Sequence, residues 1–156
     1  MIAYISPSID EQEQSTVSLL GFKLRQDGFV PKVGGHLPYT RIDSRVLNDI
    51  KKSELFIGLI TCCGKDDKRV LLEWKHAVQN GVPAWLMVEN MVDLLELDNL
   101  MQNPHVVQFD RDDPTKAIEW IQQQIVATNL PKLTQAAWRV GGEATISLLN
   151  HLAIKQ

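Results

Sequence analysis

The chain predicts an α/β fold of three layers: a five-stranded parallel sheet in the order 2-1-3-4-5, helices on both faces and a C-terminal helical extension. Three observations carry that expectation. Leu55-Phe56-Ile57-Gly58-Leu59-Ile60-Thr61 is nearly all apolar, as a central parallel strand buried on both faces requires. A short polar loop, an amphipathic stretch over residues 67–80 and a second apolar run, Pro83-Ala84-Trp85-Leu86-Met87-Val88, follow it and make a βαβ unit. Residues 1–33 repeat the same strand–helix–strand pattern.

The first strand ends at Tyr4-Ile5-Ser6, and Pro7-Ser8-Ile9-Asp10 makes a polar turn. Over residues 11–27, Val17, Leu20, Gly21 and Leu24 recur at helical spacing and give one buried face. Gly28 closes that helix. Residues 29–33 read as a second strand, and Pro31 places it at a sheet edge. An irregular segment follows over residues 34–40, opened by the paired Gly34 and Gly35. Asp43 or Ser44 caps the next helix, whose buried side is Val46, Leu47 and Ile50. After the third strand, the helix over residues 67–80 gathers Val70, Trp74, Ala77 and Val78 on one side. Glu73 lies at the border of that side, neither outward nor in the core, and Gly81 ends the helix.

Residues 91–103 are helical at least in part, with Leu94, Leu95, Leu97 and Met101 apolar. Residues 104–109 form a fifth, shorter strand. Asp113 followed by Pro114 reads as a cap and a proline at the first helical position, and Ile118, Ile121 and Ile125 give the last helix its stripe. This alternation is the Rossmann or flavodoxin-like order over residues 1–130. Residues 131–156 read as a helical extension of the same domain, interrupted by Gly141 and Gly142, that covers a sheet edge or meets a partner.

A chain of 156 residues has the length of one domain with a real core. Its hydrophobic fraction of 44% and charged fraction of 22% are those of a globular protein. A formal net charge of −3 argues against a basic grip on nucleic acid. No apolar run approaches the roughly 20 residues of a membrane span, so no membrane partner is expected. No basic region precedes the first apolar segment, so that segment reads as a strand rather than a signal peptide. The two cysteines, Cys62 and Cys63, are adjacent; neighbours rarely pair, which fits a reduced cytoplasmic protein and small residues at a strand end.

In open parallel sheets the ligand site lies outside the carboxyl ends of the strands. Glu73, in the second turn of the helix after the third strand, is the carboxylate placed for chemistry there. Gly34 and Gly35 can bring backbone close to a ligand, but with no helix opening directly behind them they do not make a dinucleotide fingerprint; His36 and Tyr39 can touch a base or ribose, though such residues are more often loop residues that pack locally. His76, about one turn beyond Glu73, reads as a solvated helix residue. No metal-ligand spacing stands out.

Three segments together carry a resemblance. The first runs from Ile5-Ser6 through an amphipathic helix to Asp27-Gly28-Phe29. The second is Ile42-Asp43 with Ile50-Lys51-Lys52-Ser53-Glu54-Leu55-Phe56-Ile57. The third is Glu73 with Ala77-Val78-Gln79-Asn80-Gly81-Val82-Pro83. In order and spacing they resemble the TIR-like and nucleoside 2-deoxyribosyltransferase-like families over residues 1–125.

Enzymes of both families cut N-glycosidic bonds, and the resemblance places the essential carboxylate on Glu73. It also implies a small nucleotide or nucleoside, NAD among them, as substrate rather than cofactor. Asp67 then stands where an aspartate helps at the base, and Ser6 and Ser8 line the pocket. Gly34, Gly35, His36 and Tyr39 flank the nucleotide, and their loop or the tail would mediate homo-oligomer assembly. For TIR-like proteins the implied setting is bacterial defence or signalling, as an NAD-cleaving hydrolase or as a non-catalytic sensor or assembly module. Two departures stand beside the match. Lys68-Arg69-Val70 replaces the Ser-Gly-Thr type segment of the deoxyribosyltransferases, and Trp74 follows the glutamate where enzymatic TIR domains have a tryptophan before it.

Overall fold

A computed structural model of the chain describes residues 1–8, 13–34, 43–92 and 98–128. Expectations for Gly35, His36 and Tyr39, for the stripe of Leu94, Leu95 and Leu97, and for the extension over residues 131–156 lie outside the described residues. The elements run β1 (Ile2–Pro7), α1 (Glu13–Gln26), β2 (Val30–Val33), α2 (Ser44–Lys52), β3 (Leu55–Ile60), α3 (Asp67–Gln79), β4 (Ala84–Glu89), α4 (Asp98–Met101), β5 (Val106–Phe109) and α5 (Thr115–Ala127). All sheet pairings are parallel, in the order β2-β1-β3-β4-β5.

Side-chain alternation along the strands builds two cores. Ala3 and Ile5 of β1 with Leu55, Ile57 and Leu59 of β3 face α1 and α5 and pack on Leu20, Leu24, Ile118 and Ile121. Tyr4, Phe56, Ile60, Leu86 and Val88 face the other way, onto Ile50 of α2 and Val70, Trp74 and Ala77 of α3. β3 and β4 are buried along their whole length, which is why their sequences read as apolar runs. β2 is the edge, with Val30 65% exposed, and there Pro31 costs no central ladder bond.

The helix ends follow local chemistry. Gly28 and Gly81 take positive φ of 85° and 71° just past α1 and α3. Asp43 caps α2 through a 2.9 Å bond from Arg45 N–H. The start of α5 differs from expectation: Pro114 itself is the cap residue and Asp113 does not cap. Ile118 N–H bonds the Pro114 carbonyl, so the first helical turn closes on the proline rather than on the residue before it.

One packing detail positions the site. Gly58 of β3 pairs with Ser6 of β1, and a Cβ there would lie 2.8 Å from Val70 and from Leu86. The missing side chain lets α3 settle directly on the sheet beside the end of β1.

Candidate functional site

In the order β2-β1-β3-β4-β5 the chain leaves β1 for one edge and returns to β3 on its other side, so the switch point falls between β1 and β3. Ser6, near the carboxyl end of β1, shares a face with Tyr4 and points toward α3. Its Oγ donates to Glu73 Oε2 at 2.5 Å across 67 residues of chain. Arg69, one helical turn before Glu73, donates from Nη1 to Glu73 Oε1 at 2.9 Å and to Ser6 Oγ at 3.2 Å. Its Nη2 donates to the Pro7 carbonyl at 2.5 Å, and its Nε to Asp66 Oδ2 at 3.2 Å.

Ser6, Glu73 and Arg69 are 0%, 2% and 7% exposed. This corrects the expected place of Glu73 at the border of the helix face: it is buried. The close seat of α3 over Gly58 carries it inward, and Arg69 supplies the countercharge that a buried carboxylate needs. Burial opposes the charge on Arg69, but Glu73 and Asp66 outweigh it and hold the guanidinium above its usual range. Asp66, the α3 cap residue, makes no side-chain cap bond, because its carboxylate faces Arg69.

A second polar group adjoins the first. Ser8 Oγ donates to Glu13 Oε1 at 2.6 Å, and Thr61 Oγ1 donates to the same oxygen at 3.1 Å. Glu13 and Thr61 are 4% and 3% exposed, so the start of α1 and the end of β3 are joined through Ser8. Asp67 lies beside them with a buried Oδ1 that has no hydrogen-bond partner. Burial, then the Glu13 and Asp66 carboxylates, push the Asp67 carboxyl up to about 6 from its ordinary 3.8.

That displacement fixes a pH dependence. Between about pH 6 and pH 4 the folded chain holds a proton on Asp67 that the unfolded chain has released. The Asp67 contribution therefore gains as pH falls through this window and is lost as pH rises. Asp67→Asn should flatten the slope between pH 4 and 6, read as the urea midpoint at each pH. An unchanged slope in the variant would assign it to other groups.

Of the expected loop, Gly34 is described. Its N–H bonds the Ile5 carbonyl at 2.7 Å, and a Cβ on it would collide with the Tyr4 hydroxyl. Burial and then the Glu73 charge raise the Tyr4 phenol. The structure thus gathers Ser6, Ser8, Asp67 and Glu73 at the switch point, and sets Gly34 against Tyr4 beside it. His76 belongs to another contact: its Nε2 lies 3.2 Å from the Leu47 carbonyl, so it ties α3 to α2 instead of standing in solvent.

Arg69, Glu13, Thr61 and Tyr4 are site members that the sequence reading did not select. The spacing of Arg69 and Glu73, four residues apart on one helix, was the available signal for the first. On the far side of β3, Glu89 accepts the Cys62 N–H at 2.8 Å and pairs with Arg111 Nε at 2.8 Å. Cys62 and Cys63 are free and exposed, just beyond the strand. Among the described residues no helix is long and apolar enough to cross a membrane.

Chemically, the site offers a carboxylate with its countercharge, a ring of hydroxyls and an unsatisfied buried acceptor. Such a set can hydrogen-bond a polyhydroxylated ligand. No protein-family model and no curated protein matches the chain. Among solved structures it is similar to the TIR domains of the activated Roq1 resistosome directly recognizing the pathogen effector XopQ, at 12% identity and a TM-score of 0.47, covering 96% of this chain and 83% of that one. It is also similar to the sugar isomerase domain of an RpiR transcription factor from Sphaerobacter thermophilus, at 14% identity and a TM-score of 0.49, covering 97% and 77%. At such values neither neighbour identifies the chemistry of this chain.

Proposed function

We propose that the chain is a TIR-like nucleotide-binding domain whose Glu73 cleaves the N-glycosidic bond of NAD. The observation that carries this reading is the 2.5 Å contact between Ser6 Oγ and Glu73 Oε2 at the switch point of the sheet. It brings together the strand-end hydroxyl and the helix carboxylate that the family resemblance assigns to one pocket. As the C1′–N bond breaks, its electron pair leaves with nicotinamide and positive charge builds on the ribose. Glu73 beneath C1′ stabilises or traps that species, and water then supplies the new C1′–O bond and releases a proton. Ser6 orients the carboxylate, while Ser8 and Asp67 face the remaining hydroxyls or the base.

The test is release of free nicotinamide from NAD by the wild-type chain and by Glu73→Gln. The variant should lose about 100-fold or more of the rate, the usual scale for removing a group that stabilises transition-state charge. Full activity in the variant would remove Glu73 from the mechanism.

A second reading has its own observation. Glu73 is 2% exposed, with both oxygens engaged by Arg69 and Ser6, the geometry of a closed, non-catalytic sensing or assembly module. That reading predicts that NAD raises the melting temperature without any product. A deoxyribosyltransferase would instead exchange bases on a deoxynucleoside across a panel of nucleobases.

A further inference from the structure

Among the described residues Arg69 is the one buried cation, and it stands at the switch point between β1 and β3. Its planar guanidinium is spread over Glu73, Ser6 Oγ, the Pro7 carbonyl and Asp66. The Glu73 contact is the one that matters for chemistry. With Nη1 2.9 Å from Oε1, the pair is neutral overall, and a neutralised carboxylate has little field to offer a ribosyl cation. A ligand that leaves this pair intact meets a closed site. A ligand that brings its own anion competes for the guanidinium. Phosphate is the suited competitor, because its oxygens accept the guanidinium fork in the same two-bond manner as a carboxylate.

Resting on the glycosidase reading above, we infer that Arg69 selects ligands bearing a phosphate on the ribosyl unit, and that the phosphate frees Glu73 for the sugar by taking the guanidinium from it. The neighbouring charges set the terms of the exchange. Asp66 pairs with the guanidinium at 3.2 Å, and Glu13, Asp66 and Asp67 are close enough to one another to raise the Asp67 carboxyl, so a dianion entering without Arg69 would be repelled. Lys65 and Lys68, nearby in the chain, are exposed and so screened by salt. Selectivity for phosphate therefore resides in Arg69, in the first turn of α3, where the helix dipole also favours an anion. A nucleoside, which has no phosphate, offers no anion that takes the guanidinium from Glu73. The inference thus separates nucleotide from nucleoside substrates, and gives a role to the residue at which the chain departs from the deoxyribosyltransferase pattern.

Nicotinamide mononucleotide and nicotinamide riboside differ by one phosphate and are the probes. By calorimetry at fixed ionic strength, the wild-type chain should bind the mononucleotide about tenfold or more tighter than the riboside, the scale of hydrogen bonds to a charged group. Arg69→Gln should bring that ratio close to one while riboside binding persists, and Arg69→Lys should retain part of it. Arg69→Gln combined with Glu73→Gln leaves no buried charge unpaired in this pair, so it reads the same ratio in a fold without that penalty. A mononucleotide preference in the double variant equal to the wild type would overturn the inference. Equal wild-type affinities for the two probes would also overturn it, yet leave nucleotide binding standing. Binding of neither probe would remove both readings. Phosphate-selective binding with no nicotinamide released would keep the role of Arg69 and discard the glycosidase.

Discussion

Replacing Arg69 with methionine should destabilise the fold by about 3–5 kcal/mol, the usual cost of removing one partner from a buried ion pair. The reason lies in what remains. Glu73 is 2% exposed, and in Arg69→Met it would keep Ser6 Oγ as its close donor but lose its countercharge. The Pro7 carbonyl and the Asp66 carboxylate would each lose a guanidinium bond as well. Methionine fills much of the arginine stem volume, so packing accounts for little of the loss. Pairing the change with Glu73→Leu should recover most of the stability, since a buried ion pair exchanged whole for apolar groups is often neutral. Urea unfolding of the two single variants and the double variant forms the cycle that measures this. A loss below about 1 kcal/mol in Arg69→Met would mean that the pair behaves like a surface ion pair, with water reaching Glu73.

The same residue marks the boundary of what the sequence could be read for. Period and composition are local properties, and they located the elements well: the all-apolar β3 and β4 lie at the centre of the sheet, and Trp74 and Trp85 are core. Glycine past a helix end is local too, and Gly28 and Gly81 took the positive φ expected there. Where a boundary depends on which carbonyl receives the first helical bond, the motif of Asp113 and Pro114 was insufficient, and the cap moved by one residue. The site was legible only as a list of polar residues near strand ends. Ser6 and Ser8 carry no mark showing that one meets Glu73 and the other Glu13, on different helices. Glu73 on a helical wheel is a border residue. Its burial follows from Gly58, fifteen residues earlier, which lets α3 descend, and from Arg69, which makes a charge at that depth tolerable. Long-range contact, rather than pattern, decides such positions.

Trp74→Ala should have a stability effect of similar size, about 3–5 kcal/mol, by a different mechanism. Trp74 is 0% exposed and among the largest fully buried side chains, packed with Ile50, Phe56 and Leu86 in the core beneath α3. Its Nε1 donates to the Ala84 carbonyl at 3.4 Å, a long bond that adds little, so the loss is mainly transferred surface and the cavity left behind. Leu72, two residues earlier on the same helix, is 49% exposed, and Leu72→Ala should stay within about 0.5 kcal/mol. The pair controls for helix propensity, because both variants place alanine in α3. The functional consequence separates the two cores. Trp74 adjoins Glu73 in the chain, and the cavity it leaves lies between α3 and the sheet, so relaxation there shifts the Ser6–Glu73 contact. Ile121→Ala, on α5 in the opposite core, should also cost about 2–5 kcal/mol without altering that contact. At a temperature where both variants remain folded, nucleotide binding should therefore weaken in Trp74→Ala and persist in Ile121→Ala. Equal weakening in both would mean that binding follows global stability rather than the seat of α3.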